Sequence, residues 1–228
     1  MTLSHPQSLI LSAVLLSLRI AAISTLLTAV LGTLLAHKLS RTKKTSYRIF
    51  ETFVVLPMVL PPSIVGYLLL LSLGRNSWLG NVIYETTGKT LLFSWQAAVI
   101  AAVIVSLPLM YQSARAGFQG VDHRLENAAR TLGAREWRIF TEITLPLARP
   151  KLLTGLALSF ARAIGEFGAT LMVAGNIPGK TQTIPTALYF AAESGDHTTA
   201  NTLMLIALFI GITAMFSVNF ILDKSRTQ

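Results

Sequence analysis

Five long runs of apolar residues constrain this chain more than any other feature. They cover residues 9–36, 50–73, 93–114, 152–174 and 201–222, and each meets the length of about 20 mostly apolar residues needed to cross a bilayer core. In lipid every backbone N–H and C=O must find a partner within the protein, which makes helices the spanning form for separate runs of this length. The predicted fold class is therefore an all-α polytopic membrane protein with about five transmembrane helices, read as one domain over residues 1–228. Composition agrees: 13% of the 228 residues are charged and 52% are hydrophobic, against about 25% charged in soluble domains. The first run has 28 residues. It would extend about 42 Å as a helix, so it is expected to tilt or to project from the bilayer.

The loops between the runs predict an orientation. Residues 37–49 hold Lys38, Arg41, Lys43, Lys44 and Arg48, and residues 115–151 hold Arg115, Arg124, Arg130, Arg135, Arg138, Arg149 and Lys151. The tail adds Lys224 and Arg226, whereas residues 74–92 and 175–200 carry only Arg75, Lys89 and Lys180. Basic residues collect on the cytoplasmic side, so the N-terminus is expected outside and the C-terminus in the cytoplasm. The net charge of +9 then reflects topology, and nucleic acid is not an expected partner. The first nine residues contain no Lys or Arg, and no small-residue cleavage site ends the first run, so a cleaved signal peptide is not expected. The chain has no cysteine, which excludes disulfides, thiolate metal sites and cysteine nucleophiles.

Two of the runs carry unusual residues. The second contains Pro57, Pro61 and Pro62, each lacking a backbone donor. This predicts a bent helix, either beside a translocation path or as a packing kink. In the fourth, Ala157, Ala161, Gly165 and Ala169 recur every four residues, with Gly155, Ser159 and Ala163 as a second small-residue row. Such rows allow close backbone approach in lipid, so this span is expected inside its own bundle or against a second copy. It also carries Arg162 and Glu166, four residues apart on one helical face. Ionisable groups at this depth face a partner or an aqueous cavity. They are read either as a self-neutralising pair or as a pore or gate element, with Gly165 and Gly168 beside them. Arg19 in the first span is a second candidate partner for Glu166, or a side chain reaching for the outer interface.

Residues 115–151 form the longest polar segment. Asp122 is placed to cap a short helix, and Glu126 suits its first turn, where the dipole favours a carboxylate. Val121, Leu125, Ala128 and Leu132 form a narrow apolar stripe, and Gly133 provides a left-handed stop. Arg135, Trp137, Arg138 and Phe140 follow as an exposed aromatic and basic cluster, a composition found at protein interfaces. Ala128, Ala129 and Gly133 are too small to embed deeply in lipid and suit close approach by another protein.

Asn127-Ala128-Ala129, then Gly133 after three residues, then Ile143, Leu145 and Pro146, resembles the EAA signature of bacterial ABC importer permeases. Asn127 stands where that signature has Glu, with Glu126 one residue earlier. The resemblance extends over nearly the whole chain. Leu56-Pro57-Met58-Val59-Leu60-Pro61-Pro62, the run Ser159 to Thr170 containing Gly165-Glu166-Phe167-Gly168, and Asn176 to Pro185 look like the molybdate permease family. Sulfate permeases share part of this pattern, and no residue separates tungstate from molybdate. The resemblance implies a type I ABC importer transmembrane fold. It makes Glu126, Asn127, Ala128, Ala129, Gly133, Ile143, Leu145 and Pro146 the ATPase-coupling residues. It also implies a homodimer in membrane lipid, two cytoplasmic ABC ATPase subunits and an extracytoplasmic oxyanion-binding protein. No cofactor is then expected on this chain, since ATP and Mg would sit on the ATPase.

Gly88-Lys89-Thr90 and Gly179-Lys180-Thr181 imitate the end of a phosphate-binding loop, but Ile83 and Ala174 occupy the positions where that loop needs glycine. His5, His37, His123 and His197 lie in four separate regions with no metal-ligand spacing. An intramembrane enzyme is disfavoured by the missing catalytic constellation. A structural or sensory membrane anchor that uses the polar segment only for scaffolding is separated from a transport subunit by whether Gly133→Asp abolishes uptake while the chain stays in the membrane.

Overall fold

In a computed structural model the structure describes residues 5–39 and 45–226, with side chains for residues 7–39 and 49–216. Arg41, Lys43 and Lys44 of the first basic loop lie outside the described residues, and the side chains of His5, Arg48, Lys224 and Arg226 are likewise not described. Every regular element among the described residues is helical: α1 (His5–Leu39), α2 (Thr45–Val59), α3 (Pro62–Leu73), α4 (Trp78–Thr87), α5 (Trp95–Gln119), α6 (His123–Thr131), α7 (Glu136–Ile139), α8 (Leu145–Ile164), α9 (Gly168–Ala174), α10 (Ile184–Glu193) and α11 (His197–Arg226). α1, α5 and α11 are each long and apolar enough to cross a membrane alone.

The second and fourth predicted spans are not continuous helices. α2 and α3 meet at 116°, and the helix that ends in α8 meets α9 at 56°. The first break follows from the consecutive prolines. A residue before proline is pushed out of the helical region, so Leu60 and Pro61 are both disfavoured there. Pro61 accordingly takes an extended ψ of 135° and α3 restarts at Pro62. The second break falls at Gly165–Phe167, where Phe167 has φ −121° and ψ −59°. Gly165 and Glu166 therefore sit between two helices and not within one. The polar connections also contain helices, α4 and α10, that the hydropathy pattern does not reveal.

The core is built around α5, whose Ala97, Ala98, Ala101 and Ala102 are fully buried. These small faces let α1 and α8 pack directly on its two sides. Of the two small-residue rows of the fourth span, the one with Gly155 packs closely, a Cβ there standing 2.8 Å from Ser113 Cβ and 3.0 Å from Met110 Sδ, both on α5. The row through Ala157, Ala161, Gly165 and Ala169 is interrupted, because α8 ends at Ile164 and Ala169 lies in α9. Hydroxyls supply the cross-links that apolar packing in lipid lacks. Thr28 and Ser106 hydrogen-bond at 3.2 Å between α1 and α5. The Ser159 hydroxyl donates to the Ser106 carbonyl at 3.4 Å, and the Ile184 amide donates to Ser17 Oγ at 2.7 Å. α3 and α9 close the opposite corner, with a Cβ on Gly66 standing 2.8 Å from Ala169 Cα.

Candidate coupling face and membrane ion pair

The polar segment folds into a compact hook. Asp122 Oδ1 accepts from the Arg124 amide at 2.9 Å and caps α6. Gly133 ends it with φ +81°, and the Ala134 amide donates to the Ala129 carbonyl at 3.0 Å, as in a Schellman turn. Arg130 then pins the turn. Its Nε and Nη2 donate to Glu136 at 2.6 and 3.0 Å, and its Nη1 donates to Asn127 Oδ1 at 2.8 Å. The hydrogen bond to Glu136 raises the Arg130 pKa above its ordinary value. Arg138 holds Glu142 at 2.9 Å one turn later.

This scaffold presents an apolar tip. Leu132 is 88% exposed, Trp137 is 74% exposed and Leu125 is 49% exposed. Of the predicted stripe only Val121 turns inward. A cleft of about 260 Å³, lined by Ala129, Leu132, Gly133, Ile139 and Ile143 among others, lies between the end of α6 and the segment from α7 to Ile143. Asn127, Ala128 and Pro146 are also exposed, while Ile143 and Leu145 are half-buried. The set thus divides into a presenting surface and a support. Phe140, expected in the exposed cluster, instead packs its ring 4.5 Å from that of His37 at the end of α1.

Glu126 belongs wholly to the support. It has no exposed surface, its Oε1 accepts from the Thr144 hydroxyl at 2.6 Å, and His123 Nδ1 lies 3.4 Å from its Oε2. Thr144 was not singled out in the sequence. Its only signal is its place between Ile143 and Leu145, where a hydroxyl interrupts an apolar run. Residues Phe140–Thr144 form a π-helical turn, in which the Leu145 amide donates to the Phe140 carbonyl. Pro146 accounts for this widening, since it has no N–H for the Glu142 carbonyl and its ring crowds that group.

Within the membrane region, Arg162 Nη1 lies 2.5 Å from Glu166 Oε2, with Glu166 buried and Arg162 partly exposed. The other Glu166 oxygen accepts from the Ala169 amide at 2.7 Å and caps α9. Gly168 packs beside it, where a Cβ would stand 3.2 Å from Pro62 Cβ, while Gly165 is exposed in the break. Arg19 does not join this pair. Its guanidinium lies 4.0 Å above the Trp95 ring, which corrects one of the two sequence options for it. Among the described residues no group of three His, Asp or Glu side chains is placed to hold a metal.

The hook thus presents an exposed apolar tip beside a bundle with two broken spans, and comparison with known proteins decides the family. Residues 28–227 match the family described as "Binding-protein-dependent transport system inner membrane component". The chain belongs to this family. Its similarity to the molybdenum transport system permease protein ModB of Escherichia coli (strain K12) is 42% identity over 95% of each chain. A "Probable sulfate transport system permease protein cysT" of Chlorokybus atmophyticus is 33% identical over 92% of this chain and 73% of that one. Among solved structures, a chain from inward-facing conformations of the MetNI methionine ABC transporter superposes with a TM-score of 0.75 at 18% identity, covering 98% of this chain and 99% of that one. This binding-protein-dependent transport component therefore has the type I ABC importer transmembrane fold, as the resemblance implied.

Proposed function

We propose that this chain is the permease subunit of an ATP-driven importer that moves molybdate across a bacterial cytoplasmic membrane. The observation that carries this reading is the 42% identity over 95% of both chains with a molybdenum transport system permease, against 33% with the relative named for sulfate. Two copies of the chain enclose the path in lipid, with the N-terminus outside and the coupling hook in the cytoplasm. Two ABC ATPases, carrying ATP and Mg, receive Leu132, Trp137 and the Gly133 turn in their clefts. An extracytoplasmic binding protein delivers the oxyanion and holds most of the selectivity, so the permease itself performs no chemistry.

The Arg162–Glu166 pair is the gate element of this reading. Arg162 is the partly exposed cation of the membrane core and attracts a dianion. Glu166, capping α9, keeps that cation neutralised when no anion is present. The test is uptake of radiolabelled molybdate in cells with and without the gene, with sulfate and tungstate as competitors. Loss of uptake on deletion, resisted by excess sulfate, supports the reading. Normal molybdate uptake with impaired sulfate uptake overturns the cargo and leaves the fold intact.

A further inference from the structure

Glu126 stands in the segment that couples to the ATPase, yet it cannot touch a partner, because no part of its surface is exposed. A buried carboxylate costs several kcal/mol unless its oxygens are satisfied. Here its oxygens are met, among other contacts, by the Thr144 hydroxyl at 2.6 Å and eighteen positions away, and locally by His123. Thr144 is itself 1% exposed. It is the last residue of the π-helical turn, directly before α8. α8 in turn carries Gly155 and Ser159 against α5 and Arg162 in its last turn.

One continuous mechanical line therefore runs from the docking helix to the membrane ion pair. α6 ends in a glycine turn, and the solvent-facing Arg130–Glu136 pair is one of the ties between its C-terminal end and α7. Exposed ion pairs hold position weakly. The Glu126–Thr144 hydrogen bond is instead buried and charge-assisted, the stronger kind. The π turn interrupts the regular α-helical ladder between hook and span, a form often found at functional sites. His37 of α1 and Phe118 of α5 pack around Phe140 of this turn at ring distances of 4.5 and 6.3 Å, so the turn is also held by the bundle.

We propose that Glu126 and Thr144 are positioning residues that carry displacement of α6 into α8, acting as a strut across the π turn and not as contacts to the ATPase. The proposal rests on the importer reading above. It places the transmitting element one shell behind the exposed tip and gives Glu126 a role distinct from that of Ala128, Ala129 and Gly133.

The experiment uses the full complex of permease, ATPase and binding protein in proteoliposomes, with molybdate as cargo. Thr144→Val removes the hydroxyl at nearly constant volume, and Thr144→Ser keeps it. Two quantities are read: molybdate accumulated per ATP hydrolysed, and amide hydrogen exchange across residues 126–132. The expected result for Thr144→Val is a fall of roughly tenfold in molybdate per ATP, with exchange in α6 faster by a similar factor, the size of one buried charge-assisted hydrogen bond. Thr144→Ser is expected to restore both. Wild-type molybdate per ATP in Thr144→Val overturns the proposal, as does a parallel fall in uptake and hydrolysis that leaves the ratio unchanged. Wild-type complex that accumulates no molybdate sinks the importer reading instead. The hydrogen-exchange comparison needs no transport, and equal exchange in Thr144→Val and wild type overturns the strut in that case too.

Discussion

Two buried carboxylates, Glu126 and Glu166, show how single residues organise this protein. Each costs desolvation energy, and each is met by polar partners: Thr144 and His123 are among those of Glu126, and Arg162 and the Ala169 amide meet Glu166. Removing Arg162 leaves a buried, underpaired charge at the break between α8 and α9. Arg162→Ala is therefore expected to lower molybdate uptake at least several-fold while the chain still assembles with its ATPase, and unchanged uptake would remove the gate role. Close packing makes a second residue-scale prediction. Gly155→Leu must displace Ser113 and Met110, whose atoms stand 2.8 and 3.0 Å from its first side-chain carbon. Overpacking of this kind costs about 1–3 kcal/mol, to be read as a lower unfolding temperature in detergent. A transition equal to the wild type would mean that α5 and α8 do not meet there.

Among the elements, the hook between α5 and α8 depends on one left-handed residue. Gly133 has φ +81° with open space where a side chain would go, so only backbone strain opposes substitution. Gly133→Asn is expected to retain most uptake, because Asn tolerates this region, while Gly133→Val incurs about 1–2 kcal/mol or more. The valine variant should reach the membrane normally and transport poorly; equal uptake in the two variants would contradict the role given to the turn. The start, stop and apolar stripe of α6 were legible because caps and glycine stops are local chemistry. The division of that segment into tip and support was not. Glu126 and Asn127 look equally solvated in sequence, and contacts such as that with the distant Thr144, invisible in the local pattern, make one of them internal. The breaks in the second and fourth spans were half legible. Consecutive prolines announce a bend, but the 116° turn depends on α9 filling the corner, and Gly165 reads as a packing residue until Glu166 caps the next helix. α4 and α10 were hidden because short interfacial helices lack the length that marks a span.

For the whole molecule, charge asymmetry predicts a topology that the bundle geometry alone does not orient. The absence of cysteine makes that topology directly testable with single-cysteine variants. Thr87→Cys and Ser194→Cys are expected to react with an impermeant maleimide in intact cells, and Thr131→Cys only after permeabilisation. The reverse pattern would invert the assembly and move the hook away from any cytoplasmic ATPase. On the proposed function, this bundle is a passive path opened by an external ATPase through the hook. The decisive experiment is molybdate accumulation in proteoliposomes containing this chain, its ATPase and its binding protein. Accumulation is expected to require ATP and binding protein together and to be reduced severely by Gly133→Val. Accumulation without ATP, or full accumulation by Gly133→Val, would contradict that reading.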